Sequence, residues 1–301
     1  MTSGPPEPNV ENRFDGTAGV VVQAGRIDGD VTIAAPAGMP VPREVPPDVS
    51  GFTGRAADLA ALDDVVARNA GSLTVITIAG MGGVGKTALA VHWANRRRAA
   101  FPDGDLFANL HGYGADAAVG PRQVLDGFLR ALGVPAERVP ATLDAQTGLY
   151  RSLLHDRAVL VVLDNVSDAD QVRPLLPGSP RCVVLVTSRN RLSSLSARDG
   201  AHRVGLAPLA AADSLRLLAR VVGDGRIADD PTSAAEITEK CAHLPLAIRI
   251  TAERISSRRG LSLERMAGVL SRPALLLDTL ALGGDELGVV RSVLSWSYAG
   301  L

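Results

Sequence analysis

Gly80-Met81-Gly82-Gly83-Val84-Gly85-Lys86-Thr87 is the stretch on which the reading of the fold turns. It matches G-x-x-x-x-G-K-[ST], and its flanks match too. An apolar, β-branched run from Leu73 to Ala79 leads in, and a helix-forming stretch from Ala88 to Arg98 follows. Strand, glycine loop and helix in that order turn a short pattern into a phosphate-binding loop, or P-loop. The glycines let backbone N–H groups crowd around phosphate oxygens, and the helix N-terminus adds partial positive charge. Lys86 is placed to reach the β- and γ-phosphates of a nucleotide, and Thr87 to offer its hydroxyl to Mg²⁺.

Composition supports this. Lys86 and Lys240 are the only lysines among 31 basic residues, the rest being arginine. Arginine is a planar fork and lysine a compact charge on a slim stem, so lysine stands where a phosphate nest leaves little room. With 301 residues, a formal net charge of -1 and 46% hydrophobic residues, the chain has enough sequence for two or more domains. The charge does not point to nucleic acid, and 3% aromatic residues leave little for base stacking. Met1 to Val10 lacks the pattern of a signal peptide, and no apolar run approaches the length of a membrane span, so a cytoplasmic protein without membrane contact is expected. Cys182 and Cys241 read as buried free thiols, the alternatives being a disulfide or a metal pair. The histidines show no metal spacing and read as structural.

Prolines cluster at Pro5, Pro6 and Pro8 and again from Pro36 to Pro47, a composition of extended linkers. From Gly51 onward the pattern becomes regular. Helices are expected over Ala56 to Asn69, Arg122 to Leu132 and Ala145 to His155, and strands over Asp105 to Leu110, Ala158 to Leu163 and Cys182 to Thr187. Short apolar strands alternating with helices predict a three-layer α/β/α fold on a parallel sheet. After Pro208 only helical periodicity remains: Ala210 to Val222, Ser233 to Cys241, Leu246 to Ser257, Ser262 to Leu270 and Val289 to Tyr298.

A P-loop nucleotide site needs a second strand ending in an acid, and Val159 to Leu163 ends in Asp164. Asp164 is the expected Mg²⁺-side carboxylate, the alternative being a helix N-cap after a buried strand. Asn165 follows where a second acid would deprotonate an attacking water, and an amide cannot take that proton, so slow hydrolysis is expected. Thr187-Ser188-Arg189 ends the next strand and brings Arg189 to the sheet edge where ligands bind. There Arg189 reads a γ-phosphate or, alternatively, is a surface arginine beside Arg191.

Phe52-Thr53-Gly54-Arg55, the P-loop, Phe101-Pro102-Asp103-Gly104, the Asp164 strand, Thr187-Ser188-Arg189 and His243-Leu244-Pro245-Leu246-Ala247 stand in the order of NB-ARC domains. The chain from about residue 50 to 301 resembles these STAND-class signalling ATPases. The resemblance implies that Gly54 and Arg55 fold over the adenine and the nucleotide's outer edge. It implies that Pro245 packs on the base from the helical domain, so that ADP joins two domains. The implied nucleotide-contacting set is Phe52, Gly54, Arg55, Gly80, Met81, Gly82, Gly83, Val84, Gly85, Lys86, Thr87, Ala88, Pro245 and Leu246. Lys86, Asp164 and Arg189 carry the chemistry, with Thr87 and Asp164 holding Mg²⁺. His243 departs from the family, which has glycine there. Arg291 to Leu301 resembles the first helix of a winged-helix domain, and the family's later histidine and sensor repeats have no counterpart, which reads as a fragment or an unusually short protein.

The expected organisation is a β-prone segment at 1–35, a Pro-rich linker at 36–49, a P-loop nucleotide-binding domain at 50–208, a helical domain at 209–283 and the start of a winged helix at 284–301. Within the first segment, Asn12 to Ile33 sets Val20, Val22 and Ala24 alternately against Val21 and Gln23, with glycines at 16, 19, 25 and 29, a pattern suited to cross-β stacking. Val22-Gln23-Ala24-Gly25 resembles the core of RHIM-like amyloid signalling motifs, whose implied partner is an effector with a matching motif; a β-hairpin or a disordered tail is the alternative. The resulting expectation is an ATP/ADP-binding, NLR-like switch that self-associates through its nucleotide-binding domain on nucleotide exchange and relays a defence or cell-death signal. The alternatives are a turnover ATPase and a fragment of an NB-ARC-type transcriptional regulator.

Overall fold

A computed structural model of the chain describes residues 41–113, 117–258 and 260–272. The amyloid-like segment and the helix expected over Val289 to Tyr298 lie outside the described residues. Five strands form one parallel sheet: β1 (Thr74–Ala79), β2 (Asp105–Asn109), β3 (Leu160–Val166), β4 (Val183–Ser188) and β5 (His202–Gly205), in the order β2-β3-β4-β1-β5. Helix α1 (Ala56–Arg68) precedes β1 and α2 (Lys86–Arg97) follows it, while α3 (Pro121–Ala131) and α4 (Leu143–Leu154) lie between β2 and β3. Two short helices, α5 (Ala169–Val172) and α6 (Ser193–Asp199), complete the connections.

Strand periodicity sorts the core. Ile76, Ile78, Leu160, Val162, Val183 and Leu185 pack into one cluster with α1 and α2. Their neighbours Val75, Val161, Leu163, Val184 and Val186 pack into another with α3 and α4. Alternate residues face opposite sides of a strand, so a sheet covered on both faces needs apolar residues at every position. The fold is therefore the three-layer α/β/α architecture the sequence predicts.

Beyond Pro208 the described residues form helices: α7 (Ala211–Val222), α8 (Asp224–Asp229), α9 (Pro231–Lys240), α10 (Pro245–Ser257) and α11 (Leu263–Leu270). Their starts are chemically marked. Asp230 accepts from Ser233 N at 3.0 Å with Pro231 in the first turn of α9, and Ser262 accepts from Arg265 N at 3.2 Å. Leu217, Ile237 and Ile248 from these helices join the same cluster as Ile76 and Leu89, so the apolar packing runs from the α1/α2 side of the sheet into the helical segment.

Four elements were not expected. β5 is four residues long with only Val204 buried, α6 buries only Leu195, α8 buries none of its residues, and α5 rests on a capping box between Asp168 and Gln171. None carries the apolar repeat on which the sequence reading relied. The described part of the Pro-rich linker is docked against the α/β body. Arg43 pairs with Asp105 at 3.1 Å, Asp105 accepts from Val45 N at 2.8 Å, and Asn95 donates to the Pro46 carbonyl at 3.0 Å. A carboxylate as buried as Asp105 needs such donors, and they come from the linker and from Arg98. Phe101-Pro102-Asp103-Gly104 serves the same junction. Phe101 is buried, Asp103 accepts from Ala158 N at 2.7 Å, and a Cβ on Gly104 would lie 2.7 Å from Pro42.

Candidate functional site

All five strands point their carboxyl ends to one edge, where Ala79 aligns with Ser188 and Gly205, and Asn109 with Asp164. This edge collects the glycine loop, Asp164, Arg189 and the Leu206 segment. Open parallel sheets bind ligands at such an edge. Gly83 and Gly85 take φ of +73° and +97°, a left-handed conformation that L side chains resist. Gly80 has its own reason: a Cβ there would lie 2.6 Å from the Leu206 carbonyl, whose residue's N–H donates to Ala79 O at 2.8 Å. Among the described residues no side chain caps α2, so its first turn offers backbone N–H groups at the end of the glycine loop, where the glycine pattern leads one to expect an anion.

The Lys86 ammonium donates to the carbonyls of Gly80 and Met81 at 2.8 and 2.9 Å. Burial, aided by the Arg189 charge, lowers its pKa to about 8, while Asp164 pulls the other way. Asp164 is buried near the carboxyl end of β3, and its Oδ1 accepts from Thr87 Oγ1 at 2.8 Å and Thr187 Oγ1 at 2.5 Å. Hydroxyl and carboxylate thus converge from the P-loop helix and the second strand. Hard oxygen donors in this arrangement fit Mg²⁺ beside a nucleotide's phosphates. Asn165 is engaged: its N–H donates to Thr187 Oγ1 at 3.0 Å and its amide to the Tyr113 carbonyl at 3.3 Å, with φ at +59°.

Arg189 follows β4 and lies over the Tyr113 ring, its guanidinium carbon 4.9 Å from the centroid. It lines a cleft of about 930 Å³ together with Gly80, Met81, Gly82, Arg191 and Arg203. The sequence brought Arg189 to this edge, and the structure puts it in one cleft with the loop. Tyr113 and Arg203 were not foreseen, since a tyrosine after β2 and an arginine on a four-residue strand carry no motif.

The opposite side of the loop meets the helical segment. Leu246 N donates to Gly83 O at 3.3 Å, and a Cβ built on Gly83 would lie 3.3 Å from Leu246 Cβ. Pro245 lines a cavity of about 50 Å³ with Phe52, Arg55, Gly85 and Ala88. Arg55, at φ +67°, donates to Val84 O at 2.8 Å and Ala207 O at 2.7 Å, which ties the loop to the chain entering α7. Gly54 approaches α7, where a Cβ would lie 2.7 Å from the Asp213 carboxyl carbon. His243 adopts φ +54°, the conformation a glycine favours, and is held by its ring to Ser214 Oγ at 3.1 Å and by its carbonyl to Leu209 N at 3.0 Å. Phe52 stacks on His92, centroids 4.0 Å apart, and His92 pairs with Asp48 at 2.9 Å, a trio with no signal in the sequence.

The family model described as "NB-ARC domain" matches residues 57–228. The chain belongs to the NB-ARC family. Within it, the chain is 46% identical over 252 residues to "Regulatory protein AfsR" of Streptomyces coelicolor, covering 82% of this chain and 25% of that protein. It is 29% identical over 194 residues to a probable disease resistance protein of Arabidopsis thaliana, covering 60% of this chain and 21% of that one. This NB-ARC chain thus spans about a quarter of the length of the curated relatives it matches. Among solved structures, a STAND protein with a tetratricopeptide repeat sensor from Pyrococcus horikoshii aligns with a TM-score of 0.48 at 21% identity, covering 76% of this chain and 33% of that one. The NB-ARC match begins at Ala57, inside α1, and ends in α8, so Pro245 and Leu246 lie beyond it; both are nonetheless placed against the P-loop. Among the described residues no helix is long and apolar enough to cross a membrane, and no cluster of His, Cys, Asp and Glu is arranged to hold a metal.

Proposed function

We propose that the chain is a nucleotide-operated signalling switch that retains ADP between its P-loop and its helical segment and responds to exchange for ATP. The observation that carries this reading is the contact of the first turn of α10 with the loop: Leu246 bonded to Gly83, and Pro245 sharing a small cavity with Gly85. Whatever fills the loop is sensed by α10. Lys86 and the loop's N–H groups hold phosphates, Thr87 and Asp164 hold Mg²⁺, and Phe52, Arg55, Ala88 and Pro245 surround the base side. Arg189, in the cleft beside Gly80 to Gly82, reports a third phosphate, and its contact there shifts the helical segment toward a self-associating form. Asn165, bound to Tyr113 O rather than free to act on water, supports retention over turnover.

In the signalling reading, clustered N-terminal segments relay a defence or cell-death signal to an effector with a matching motif. A regulatory reading is favoured by the 46% identity to "Regulatory protein AfsR" and the 28% identity to a putative HTH-type transcriptional regulator of Mycobacterium tuberculosis, and the same switch serves it. Nucleotide content, steady-state hydrolysis and mass in solution test the proposal together. Copurified ADP, negligible turnover and larger assemblies with ATP support it, whereas turnover of many molecules per second favours an ATPase whose hydrolysis is the output. Tight duplex DNA binding by residues 1–301 themselves would move the reading to a DNA-contacting regulator.

A further inference from the structure

We propose that Tyr113 is a positioning residue for Arg189: its ring holds the guanidinium at the mouth of the cleft beside Gly80 to Gly82, ready to meet a third phosphate. The inference rests on the reading of Arg189 as the reporter of that phosphate.

Arg189 is the first residue after β4, on a chain segment that makes no regular pairing there, and a long side chain in that place has many rotamers to lose. The Tyr113 ring lies 4.9 Å from the guanidinium carbon, within the range of a cation–π contact. The ring is itself fixed. Gly112 N donates to Asn165 O at 2.7 Å, and a Cβ on Gly112 would fall 2.5 Å from that same oxygen, so no larger residue fits between the loops after β2 and β3. The Asn165 amide donates to Tyr113 O at 3.3 Å, and the phenol oxygen lies 3.3 Å from Ser188 Oγ, the residue before Arg189. Ser188 in turn donates to Val166 O at 2.6 Å. Loops from three strands thus brace one aromatic face against one guanidinium.

The electrostatics give the face a purpose. Arg189 is close enough to Lys86 for its charge to help depress the Lys86 pKa, so two cations share the space in front of the loop. The electron-rich ring face offsets part of the Arg189 charge, and a γ-phosphate would offset all of it. A guanidinium already placed loses less entropy when the phosphate arrives. This assigns Asn165 a role as well: it stands where an acid would assist hydrolysis and instead supports the loop that presents the ring.

The test is the preference for a triphosphate. The ratio of the ADP to the AMP-PNP dissociation constant is measured by calorimetry on the full chain, for wild type, Tyr113→Phe, Tyr113→Leu, Arg189→Ala and the Tyr113→Leu/Arg189→Ala double variant. Tyr113→Phe keeps the ring and should leave the ratio within about twofold. Tyr113→Leu should lower it roughly three- to tenfold while ADP affinity holds, and should have no further effect in the Arg189→Ala background. Tyr113→Gln, expected to behave as the leucine variant, checks that the loss follows the missing ring rather than one replacement side chain. An unchanged ratio in Tyr113→Leu, or an equal drop with and without Arg189, would overturn the inference while leaving Arg189 as reporter. An unchanged ratio in Arg189→Ala itself would overturn that reading and this inference with it.

Discussion

Leu246, the second residue of α10, gives its backbone N–H to the carbonyl of Gly83, so the first turn of a helix in the second half of the chain is bonded to the middle of the glycine loop. On the proposed switch, nucleotide affinity and the position of α10 should therefore change together. Gly83 has φ +73°, and an added Cβ would meet Leu246 Cβ at 3.3 Å. Gly83→Ala combines left-handed strain of about 1–2 kcal/mol with a push on α10. Calorimetry should show ADP affinity falling roughly tenfold, an effect of the displaced loop and α10 rather than of the strain itself. Gly71→Ala is the control. Its φ is +96° with open space around it, so it carries the strain alone and should lower the melting temperature without changing ADP affinity.

Lys86 predicts a pH dependence with a definite sign. Its pKa is about 8 in the folded chain against an ordinary 10.5, so between those values the unfolded chain binds more protons than the folded one. The cost of the buried ammonium is fully present below pH 8 and is relieved as pH rises, so stability without nucleotide should rise across this window relative to Lys86→Met. Phosphates favour the charged ammonium, so binding should take up a proton and affinity should fall above pH 8. Binding heats at pH 8.5 in two buffers of different ionisation enthalpy should report uptake in wild type and none in Lys86→Met.

Asp105 predicts where the segment before the first helix is fastened. Its buried carboxylate takes Val45 N, Arg43 and Arg98, and removing it strands a buried N–H while the two arginines, each near 40% exposed, turn to water. Asp105→Ala should cost about 2–3 kcal/mol in chemical denaturation, most of it from the lost buried acceptor rather than from the ion pairs. Limited proteolysis should then cut between Val41 and Ser50, where the wild type resists.

Long apolar runs made the fold legible: Leu73 to Ala79, Ala158 to Leu163 and Cys182 to Thr187 each became a strand of the parallel sheet, shifted by one or two residues at most at the start and three at the end. β5 escaped because an edge strand of four residues buries only Val204 and makes no pattern. The site divides in the same way. The loop and Asp164 follow from spacing, because phosphate and Mg²⁺ dictate residue types at fixed places. Tyr113, Arg203 and the Phe52–His92–Asp48 trio come from loops and an edge strand brought together by tertiary structure, and no local periodicity marks them. The resemblance implies that Gly54 and Arg55 fold over the adenine and the nucleotide's outer edge; what no motif encodes is the clasp from the Arg55 guanidinium to Val84 and Ala207, the latter a contact across 152 residues of sequence.

The central claim is that the P-loop and α10 close on a nucleotide to keep it. The rate at which ADP leaves tests this most directly. Purified chain loaded with fluorescent ADP and chased with excess unlabelled ADP should release it with a half-time of minutes or longer, and Pro245→Ala, which opens the shared cavity beside Gly85, should shorten that time by roughly three- to tenfold. Release within a second from the wild type, or a rate indifferent to Pro245, would contradict the account.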